Sequence, residues 1–583
     1  KIGGWAKTTA EALVGAARGI INWFSLDGDQ YLMTGTNKKL YVYQNQAFHD
    51  ITPIRVTGAS ITEFTTTSGS TTVTVTDATH GAIEGDFVTI SSVSGTANGI
   101  TASNLEGEFE IQSVTDTNNY VITAKAAASG SGASGRTGTA EYQINTNPAF
   151  SIQGYGWGAG TWGLSTWNTT RAGLASPDSV QLDSGKWSLD NWGEDILAQQ
   201  LNGSLYYWDT SASTSTVQRA NRTAVSGAPT SSRFVLVSGT DRHVICFGTE
   251  TTIGTPSTRD DMFLRWSDQE DPAQWTPTAT NTAGSQRLTD GSKLVTAKRS
   301  RGAVLVWSDT ALYQMQLIGA PFVFGFQQLG SACGCIGQHA AVESNGRSFW
   351  MGTDSFYTFD GSVQKIPCSV EDYVFGDIDE ASQKDTFAGL NVEFNEVTWF
   401  YCSNGSNVIN RSVTYNYLEN VWYVGTLARS SWFDKGVYGF PQAMEFDSTD
   451  TTSTISTITG LTAGRSFLYS HENGNNADGA ALSSSITSGD FVLPQAGERL
   501  MSIKRFIPDF KNQNGNVNVE LNFKLYPSST ATTNGPFTVS PTTTKIDTRA
   551  RGRQASLKIT SSALNTKWRY GTYRADVQPD GMR

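Results

Sequence analysis

Two stretches of this chain repeat one pattern: VLVWSDTALYQM at 304–315 and SFWMGTDSFYTF at 348–359. In each, an apolar run with β-branched or aromatic residues leads into a short polar segment, and a second run follows that opens on Leu-Tyr or Phe-Tyr. Alternating apolar residues on both sides of a short polar turn predict a β-hairpin. The copies lie about 45 residues apart, and such a period is typical of propellers, solenoids and other arrays.

The same hairpin pattern occurs at 31–43 and 196–208, with weaker copies at 244–266, 397–415 and 465–469. Any all-β protein yields hairpins, but the shared Leu/Phe-Tyr after the turn is more than alternation requires. Helical periodicity is almost absent. The sequence therefore predicts an all-β chain built on a β-propeller of about seven blades.

Composition agrees with many short strands joined by tight turns. The 583 residues include 58 Gly and 11% aromatic residues, and only 16% are charged. So much apolar and aromatic surface can form a sizeable core, which argues against disorder. The five Cys are scattered and odd in number, which fits assembly in a reducing compartment. Apolar runs stay well below 18 residues, so we expect no membrane-spanning segment.

Changes in amino-acid composition and strand pattern divide the chain into four parts. Residues 1–53 hold the first part of the propeller, and 54–147 form a Thr/Ser-rich insertion with the short strands of a small β-sandwich or barrel. Residues 148–485 carry the remaining blades, and 486–583 form a C-terminal, sandwich-like β domain with period-2 strands. The small-residue run 126–135 reads as a flexible linker at the end of the insertion.

Charge is unevenly distributed. The net charge is −11, which argues against nucleic-acid binding by the whole chain. Residues 54–147 carry −6, residues 489–583 carry +7, and the remainder carries −12. A basic C-terminal domain on an acidic body predicts electrostatic docking to a neighbouring subunit or an acidic partner; ordinary solvated surface is the alternative. The docking candidates are Arg549, Arg551, Arg553 and Arg569.

A glycine/aromatic segment at 154–167 contains Trp157, Trp162 and Trp167. Such rings could form a stacking platform for sugar or single-stranded nucleic acid. Alternatively, the glycines permit tight turns while the Trp rings cover a face of the propeller or a subunit contact. The second interpretation is favoured, because stacking sites normally include polar side chains that hydrogen-bond the ligand, and none can be identified near this segment.

Signals for chemistry are weak. The five His stand alone, and the C-x-C pair Cys333 and Cys335 has no second pair to complete a metal site. The chain has no nucleophile elbow, P-loop or dinucleotide fingerprint. Carboxylate neighbours such as Glu371 and Asp372 could serve glycoside hydrolysis only if the fold brought two together at the right separation. We therefore expect no catalytic residues, no cofactor, no metal and no enzymatic activity.

Several motifs together carry a family resemblance. They are the run from Gly35 to Tyr41 with 50–53, Trp266-Ser-Asp268 with Trp275 and 283–291, 305–307 with 312–313 and 319–321, 356–361, and the C-terminal 551–554, 568–571 and 580–581. In this order they resemble β-propeller tail nozzle proteins of short-tailed bacteriophages, also called tail tubular or tail stabilisation proteins. The resemblance covers most of the chain outside 54–147, and its motifs are structural.

The resemblance implies a structural virion protein of the distal tail tube, assembled in the host cytoplasm. It implies a homo-oligomer, a hexameric ring, that docks to the tail adaptor protein above and to tail fibres or a tip protein below. Double-stranded DNA would pass through transiently, without sequence-specific binding. An acidic channel lining would repel the DNA phosphates, so that the DNA slides through without being bound. Two alternatives stay open: a receptor-binding or polysaccharide-degrading phage tail protein, and a monomeric propeller scaffold for peptides.

Overall fold

The described part of the chain is almost entirely β-structure. A computed structural model of the protein describes residues 3–151, 183–212, 217–239, 241–319, 321–452, 458–492 and 499–581. Within them, the α-helices are Ala102–Leu105 and Glu371–Asp377, and the 3-10 helices are Thr223–Val225, Pro256–Thr258, Gln383–Asp385 and Val392–Phe394. The chain divides into two compact units, Thr9–Leu468 and Lys1–Thr8 with Tyr469–Arg583.

Seven antiparallel sheets follow one another along the described chain. Sheet 1 comprises Ala17–Phe24, Gln30–Thr36, Leu40–Gln44 and Ala47–Asp50; sheet 2 comprises Trp187–Trp192, Asp195–Gln200 and Leu205–Trp208; sheet 3 comprises Phe234–Val237, Val244–Phe247, Phe263–Trp266 and Gly284–Arg287. Sheet 4 comprises Leu294–Ser300, Ala303–Ser308, Ala311–Gly319 and Val323–Ser331; sheet 5 comprises Ala341–Ser344, Arg347–Met351, Phe356–Phe359 and Val363–Lys365; sheet 6 comprises Phe387–Asn391, Glu396–Tyr401, Arg411–Asn416 and Val421–Gly425. Sheet 7 comprises Ser431–Phe433, Gln442–Asp447 and Arg465–His471, with Leu13–Val14 added to the last strand.

The two hairpins that dominate the sequence pattern form as predicted. In the first, Val304 pairs with Met315 and Trp307 with Leu312 across a short polar turn. In the second, Ser348 pairs with Phe359. One face of the first hairpin and the second hairpin are buried in a core shared by sheets 4, 5 and 6, whereas the other face of the first hairpin is buried in a core shared with sheet 3. Successive residues of a strand point to opposite faces, so the two faces of one hairpin enter two different cores.

The first strands of the seven sheets contact one another in cyclic order. Each touches the first strand of the next sheet, and the first strand of sheet 7 touches that of sheet 1. The ends of the ring are tied by strand pairing, because Leu13 is the register partner of Ser466 and Val14 that of Arg465. The sheets therefore form a closed ring around an axis lined by their first strands.

Tryptophans join neighbouring sheets of this ring. Trp187 at the start of sheet 2 is 1% exposed, and its Nε1 donates a 2.7 Å hydrogen bond to the carbonyl of Thr36 in sheet 1. Its ring fills the space above Gly35, where an added Cβ would lie 2.2 Å from ring atoms. Trp432 of sheet 7 makes the same kind of bond to Leu390 of sheet 6.

A six-stranded barrel stands between sheets 1 and 2 in the chain. Its strands are Ile54–Thr66, Thr72–Asp77, Phe87–Ser91, Gly107–Asp116, Asn119–Thr123 and Gly138–Gln143, with Gly132–Ala133 added at one edge. The barrel closes because Ile54–Thr66 pairs on one side with Thr72–Asp77 and on the other with Gly138–Gln143. Alternate residues of these strands fill the interior, as a small barrel requires.

A buried lysine joins the barrel to the ring. Lys39, between two strands of sheet 1, is fully buried. Its Nζ lies 2.6 Å from Asp50 Oδ2 and 2.5 Å from Glu108 Oε1 of the barrel, and 3.1 Å from Gln143 Oε1. Burial opposes ionisation of Asp50, but the charges of Lys39 and Arg219 outweigh it and lower the pKa of this carboxyl to about 2.

The predicted flexible linker at 126–135 is wrong. The backbone of this segment is hydrogen-bonded along the barrel: Ala128 N–H donates to Ser70 O, and Ser129 N–H donates to Asn98 O. Gly132 and Ala133 pair with Thr66 and Thr65. Most of the segment is exposed and a Cβ added at Gly132 or Gly135 would meet nothing within 4 Å, so backbone hydrogen bonds hold it in place, and composition alone does not predict them.

The smaller compact unit contains further sheets. Trp5–Lys7 pairs with residues 469–471 and with Asn476–Ala477, which also pairs with Ala480–Ala481. The C-terminal sheets are Ser484–Thr487, Gln554–Ser561, Val517–Lys524 and Thr532–Val539; Ile546–Gly552, Met501–Ile507 and Arg574–Pro579; and Phe510–Asn514 with Lys567–Tyr570. Their apolar faces share one core that includes Ile503, Phe506, Val519, Leu521 and Ile559.

We predict that Gly35→Ala destabilises the larger unit by about 1–3 kcal/mol, because the new methyl group overlaps the Trp187 ring and forces either the ring or sheet 1 to move. Urea denaturation followed by Trp fluorescence measures the change. Gly439→Ala is the matched control: a Cβ there meets nothing within 4 Å, so its effect should stay within about 0.5 kcal/mol. Equal stability of the Gly35→Ala and wild-type chains would contradict the proposed packing role.

Candidate functional site

An axial cavity, a space of about 500 Å³, lies between the first strands of the seven sheets. All seven strands, or the residues next to them, contribute to its wall. This volume falls within the range typical of small-molecule sites. Apolar wall residues such as Ile20, Leu236 and Phe387 alternate with the polar groups that give the cavity its chemistry.

Six polar side chains line part of the axial cavity. Gln338 Nε2 donates a 2.9 Å hydrogen bond to Ser188 Oγ. His339 and Lys298 line the same wall, and His339 Nε2 is buried without a hydrogen-bond partner. Nearby, Arg299 binds both oxygens of Asp190 at 2.9 and 3.0 Å. The wall thus offers a bidentate ion pair beside a lysine and a histidine.

Burial shapes the protonation of this wall. Burial, followed by the charges of Lys298 and Lys186, lowers the pKa of His339 to about 3. Burial likewise lowers the pKa of Lys298, although Asp190 partly compensates. His339 is therefore neutral at physiological pH, and it can either donate or accept a hydrogen bond at Nε2.

A charged cluster lies where the first strands begin. Asp385 accepts a 2.9 Å bond from Lys186 Nζ and another from Ser184 Oγ. Asp183 pairs with Arg233 and with Lys384, each at 3.1 Å. Burial opposes ionisation of Asp183, but Lys186, Arg233 and Lys384 together outweigh it and lower its pKa. Cationic side chains outnumber carboxylates in this cluster, and such an excess of positive charge favours the binding of an anion.

Lys293 shows that the cluster is crowded with positive charge. Burial and repulsion by Lys384 lower the pKa of Lys293 to about 8, although Asp183 acts in the opposite direction. A lysine with this pKa is partly neutral near physiological pH, so its charge would respond to an arriving anion. Sequence reasoning missed this cluster and Lys298, and it treated His339 only as an isolated histidine. The members of the cluster stand just before the first strands of four different sheets, 2, 3, 4 and 6, so no local spacing reveals them.

Two of the predicted docking arginines share a face. Arg549 and Arg551 are exposed on Ile546–Gly552, where buried Thr548 and Ala550 alternate with them. The same sheet exposes Lys504 and Arg574. Arg505 is bonded to Asp547, and Arg551 to Asp580. We call this outer surface of the sheet the basic face.

The other predicted site residues lie elsewhere. Arg553 is half-buried, with its guanidinium 5.5 Å from the centre of the Tyr526 ring. Arg569 is exposed on Lys567–Tyr570, next to Lys511 of the paired strand. Trp157, Trp162 and Trp167 fall in 152–182, outside the described residues.

Metal binding finds no support in the part of the chain that the structure describes, where no three His, Cys, Asp or Glu side chains are placed to share an ion. Cys333 and Cys335 are buried and unlinked, and burial raises the pKa of the Cys335 thiol to about 12. Both therefore behave as apolar core residues. Within the same described ranges, no helix is long and apolar enough to cross a bilayer.

Comparisons with known proteins leave the family open. No family profile and no curated protein sequence matches the chain. Among solved structures, it is similar to a phage phi92 endosialidase, with 12% identity and a TM-score of 0.17 over 79% of this chain and 58% of the other. It is also similar to two variants of a Synechocystis apocarotenoid oxygenase, with 9% and 10% identity and TM-scores of 0.23 and 0.26. These cover 65% and 68% of this chain and 83% and 88% of the oxygenase.

The chain spans about 58% of the length of the endosialidase. At such scores the likeness carries no argument about substrate or reaction. The comparison nevertheless contradicts the prediction that the chain is not an enzyme, because both kinds of similar protein are enzymes. That prediction rested on missing sequence motifs, and catalytic groups on different sheets of an all-β chain leave no motif.

We predict that His339 makes the larger unit acid-sensitive. The pKa of His339 is about 3 in the folded chain and about 6.5 in the unfolded chain. Between these two pH values the unfolded chain binds a proton at His339 and the folded chain does not. This component of stability is intact above pH 6.5 and falls by about 1.4 kcal/mol per pH unit toward pH 3. His339→Gln should remove the loss, as urea denaturation between pH 7 and 4 would show.

Lys298→Met tests the cause of the shift. Removing this charge raises the pKa of His339, so the acid-induced loss should end at a higher pH than in the wild type. Exposed Arg222→Gln controls for the general effect of deleting a positive charge. A His339→Gln chain with the wild-type pH dependence would contradict the assignment.

Proposed function

We propose that the seven sheets are the blades of a β-propeller and that the C-terminal sheets form a sandwich-like domain. The chain would then consist of 1–53 and 148–485 as propeller, 54–147 as inserted domain and 486–583 as C-terminal domain. The cyclic contacts of the first strands and the pairing of residues 13–14 with 465–466 support the propeller.

We further propose that the chain is a structural protein of the bacteriophage virion, the nozzle at the distal end of a short tail. The observation that carries this is the division of charge. Residues 489–583 hold +7 and expose Arg549 and Arg551 on the basic face, while the rest of the chain holds −18. Surfaces of opposite sign on one chain favour head-to-tail docking of copies, which closes into a ring.

The partners follow from the resemblance. A hexameric ring would dock to the tail adaptor protein on one side and to tail fibres or a tip protein on the other. The genome would pass through the ring as double-stranded DNA without sequence-specific contacts. A negatively charged channel lining repels phosphates, whereas a basic lining would bind them through counterion release. The protein would then be found in the virion tail after assembly in the host cytoplasm.

We predict that Arg549→Glu with Arg551→Glu weakens ring formation, or recruitment onto the adaptor, by about tenfold or more, because two attractive contacts become repulsive. Mass photometry of the wild type should show about six copies per ring, with fewer rings as salt rises. Arg222→Glu with Arg301→Glu makes the same charge change on exposed residues of the larger unit and should leave assembly closer to wild type.

A chain that stays monomeric at every salt concentration and does not bind the adaptor protein would contradict the nozzle proposal. If that monomer also bound or cleaved bacterial glycan, the alternative of a receptor-binding or polysaccharide-degrading tail protein would replace it. Unchanged assembly of the Arg549/Arg551 double variant would retain the ring but remove the basic face from its interface.

A further inference from the structure

Lys39 and Asp50 place an amine against a carboxyl group in the interior of the larger unit. The Lys39 side chain is fully buried, and its Nζ lies 2.6 Å from Oδ2 of Asp50. Because Cγ of Asp50 is bonded to Oδ2, Nζ lies within about 4 Å of this carbon, close to the separation of two groups poised to react. Sheet 1 fixes both residues, since the strand after Lys39 pairs with the strand that ends at Asp50.

Glu108 of the barrel brings a second carboxylate to the same amine. Its Oε1 lies 2.5 Å from Lys39 Nζ and accepts a 2.7 Å hydrogen bond from Gln143 Nε2. Gln143 Oε1 in turn lies 3.1 Å from Nζ, so the amide orients both partners. With two carboxylates at one amine, one can carry protons while the other reacts.

The surroundings of the amine exclude water. The ring of Phe87, which is fully buried, has its centre 4.4 Å from Nζ. Leu40 and Tyr41, which follow Lys39 in the chain, are fully buried as well. An ion pair in such a place is costly because both charges lose their hydration. Condensation to an amide would remove one positive and one negative charge from the site.

The other oxygen of Asp50 is held by two donors. Oδ1 accepts a 3.0 Å hydrogen bond from Arg219 Nη1 and a 2.9 Å bond from Thr52 N–H. Negative charge grows on this oxygen when an amine attacks Cγ, and donors already in place stabilise it. Burial raises the pKa of Asp50, but Lys39 and Arg219 outweigh burial and lower it to about 2. The resting pair is therefore ionic, and the reaction must begin with a proton transfer.

We propose that Lys39 and Asp50 form an intramolecular amide (isopeptide) bond, with Glu108 as the proton carrier. Glu108 takes a proton from the Nζ ammonium, the neutral amine attacks Cγ of Asp50, and the bond from Cγ to Oδ2 breaks. Oδ2 leaves as water with two hydrogens from Nζ, both carried by Glu108, which ends as a carboxylate. The reaction consumes no oxidant, reductant or other reactant.

The bond would close a covalent loop over residues 39–50 and tie the two outer strands of sheet 1 together. Glu108, whose side chain is 17% exposed, keeps its hydrogen bond from Gln143 after the reaction. The proposal does not depend on the proposed function, because it concerns only sheet 1 and the barrel.

Mass spectrometry of the denatured full chain tests the bond. The chain should be lighter than its sequence mass by one water, about 18 Da. Trypsin should release 39–55 as a single peptide that is also one water lighter, because an acylated Lys39 is no longer cleaved. Fragment ions from backbone cleavage between Lys39 and Asp50 should be missing, which separates the cross-link from dehydration of an aspartate alone.

Variants assign the roles. Lys39→Arg keeps the positive charge and should show no loss of mass. Glu108→Gln keeps the shape of the proton carrier and should slow bond formation by about 100-fold or more, so most of that chain should lack the cross-link. Lys38→Arg is the matched control: Lys38 also contacts a carboxylate, Glu110 at 2.6 Å, but its side chain is 14% exposed, and the mass loss should persist.

A wild-type chain with its full sequence mass, cleaved by trypsin after Lys39, would overturn the proposal whether or not any variant folds. A loss of water that persists in Lys39→Arg would do the same. A link from Lys39 to the tryptic peptide 56–125 would assign the bond to Glu108 and overturn the choice of Asp50. Complete cross-linking of the Glu108→Gln chain would contradict the role of Glu108 as proton carrier.

Discussion

The ring depends on one short strand pairing. Leu13 and Val14 extend the last sheet, and the residues that follow them begin the first sheet, so two distant parts of the chain meet in a few hydrogen bonds. Ser466 strengthens this joint: its hydroxyl donates to the carbonyl of Gly15 at 2.7 Å and accepts from Ala17 N–H at 3.0 Å. A closed ring leaves few exposed sheet edges, and every sheet then shares its core with two neighbours.

Local patterns predicted the local structure well. The hairpins around Trp307 and Trp350 form with the expected turns because alternation and turn residues are properties of a dozen consecutive residues. The Thr/Ser-rich composition of 54–147 predicted an inserted β domain, but it did not distinguish a sandwich from a barrel. That distinction depends on whether Ile54–Thr66 pairs on both edges, which is a long-range property.

The candidate site was beyond the reach of sequence reasoning. Lys186 and Asp385 are 199 residues apart, and each stands in an unremarkable local context. His339 was noticed only as an isolated histidine; the lysines that lower its pKa come from other sheets. Polar groups assembled from several sheets around an axis are specified by the closure of the ring, and no spacing in the sequence encodes it.

The barrel enters and leaves the ring at nearly one point. Ile54 and Gln143 are register partners, and shortly after the barrel Asn147 N–H donates to Asn37 O of sheet 1 at 2.9 Å. In genetic terms the barrel is a cassette, since its removal or exchange would leave the path of the ring almost unchanged. Lys39 sets a condition on such an exchange. Its charge is matched partly by Glu108 of the barrel, so a lineage that lost the cassette would have to replace this lysine or supply another acid.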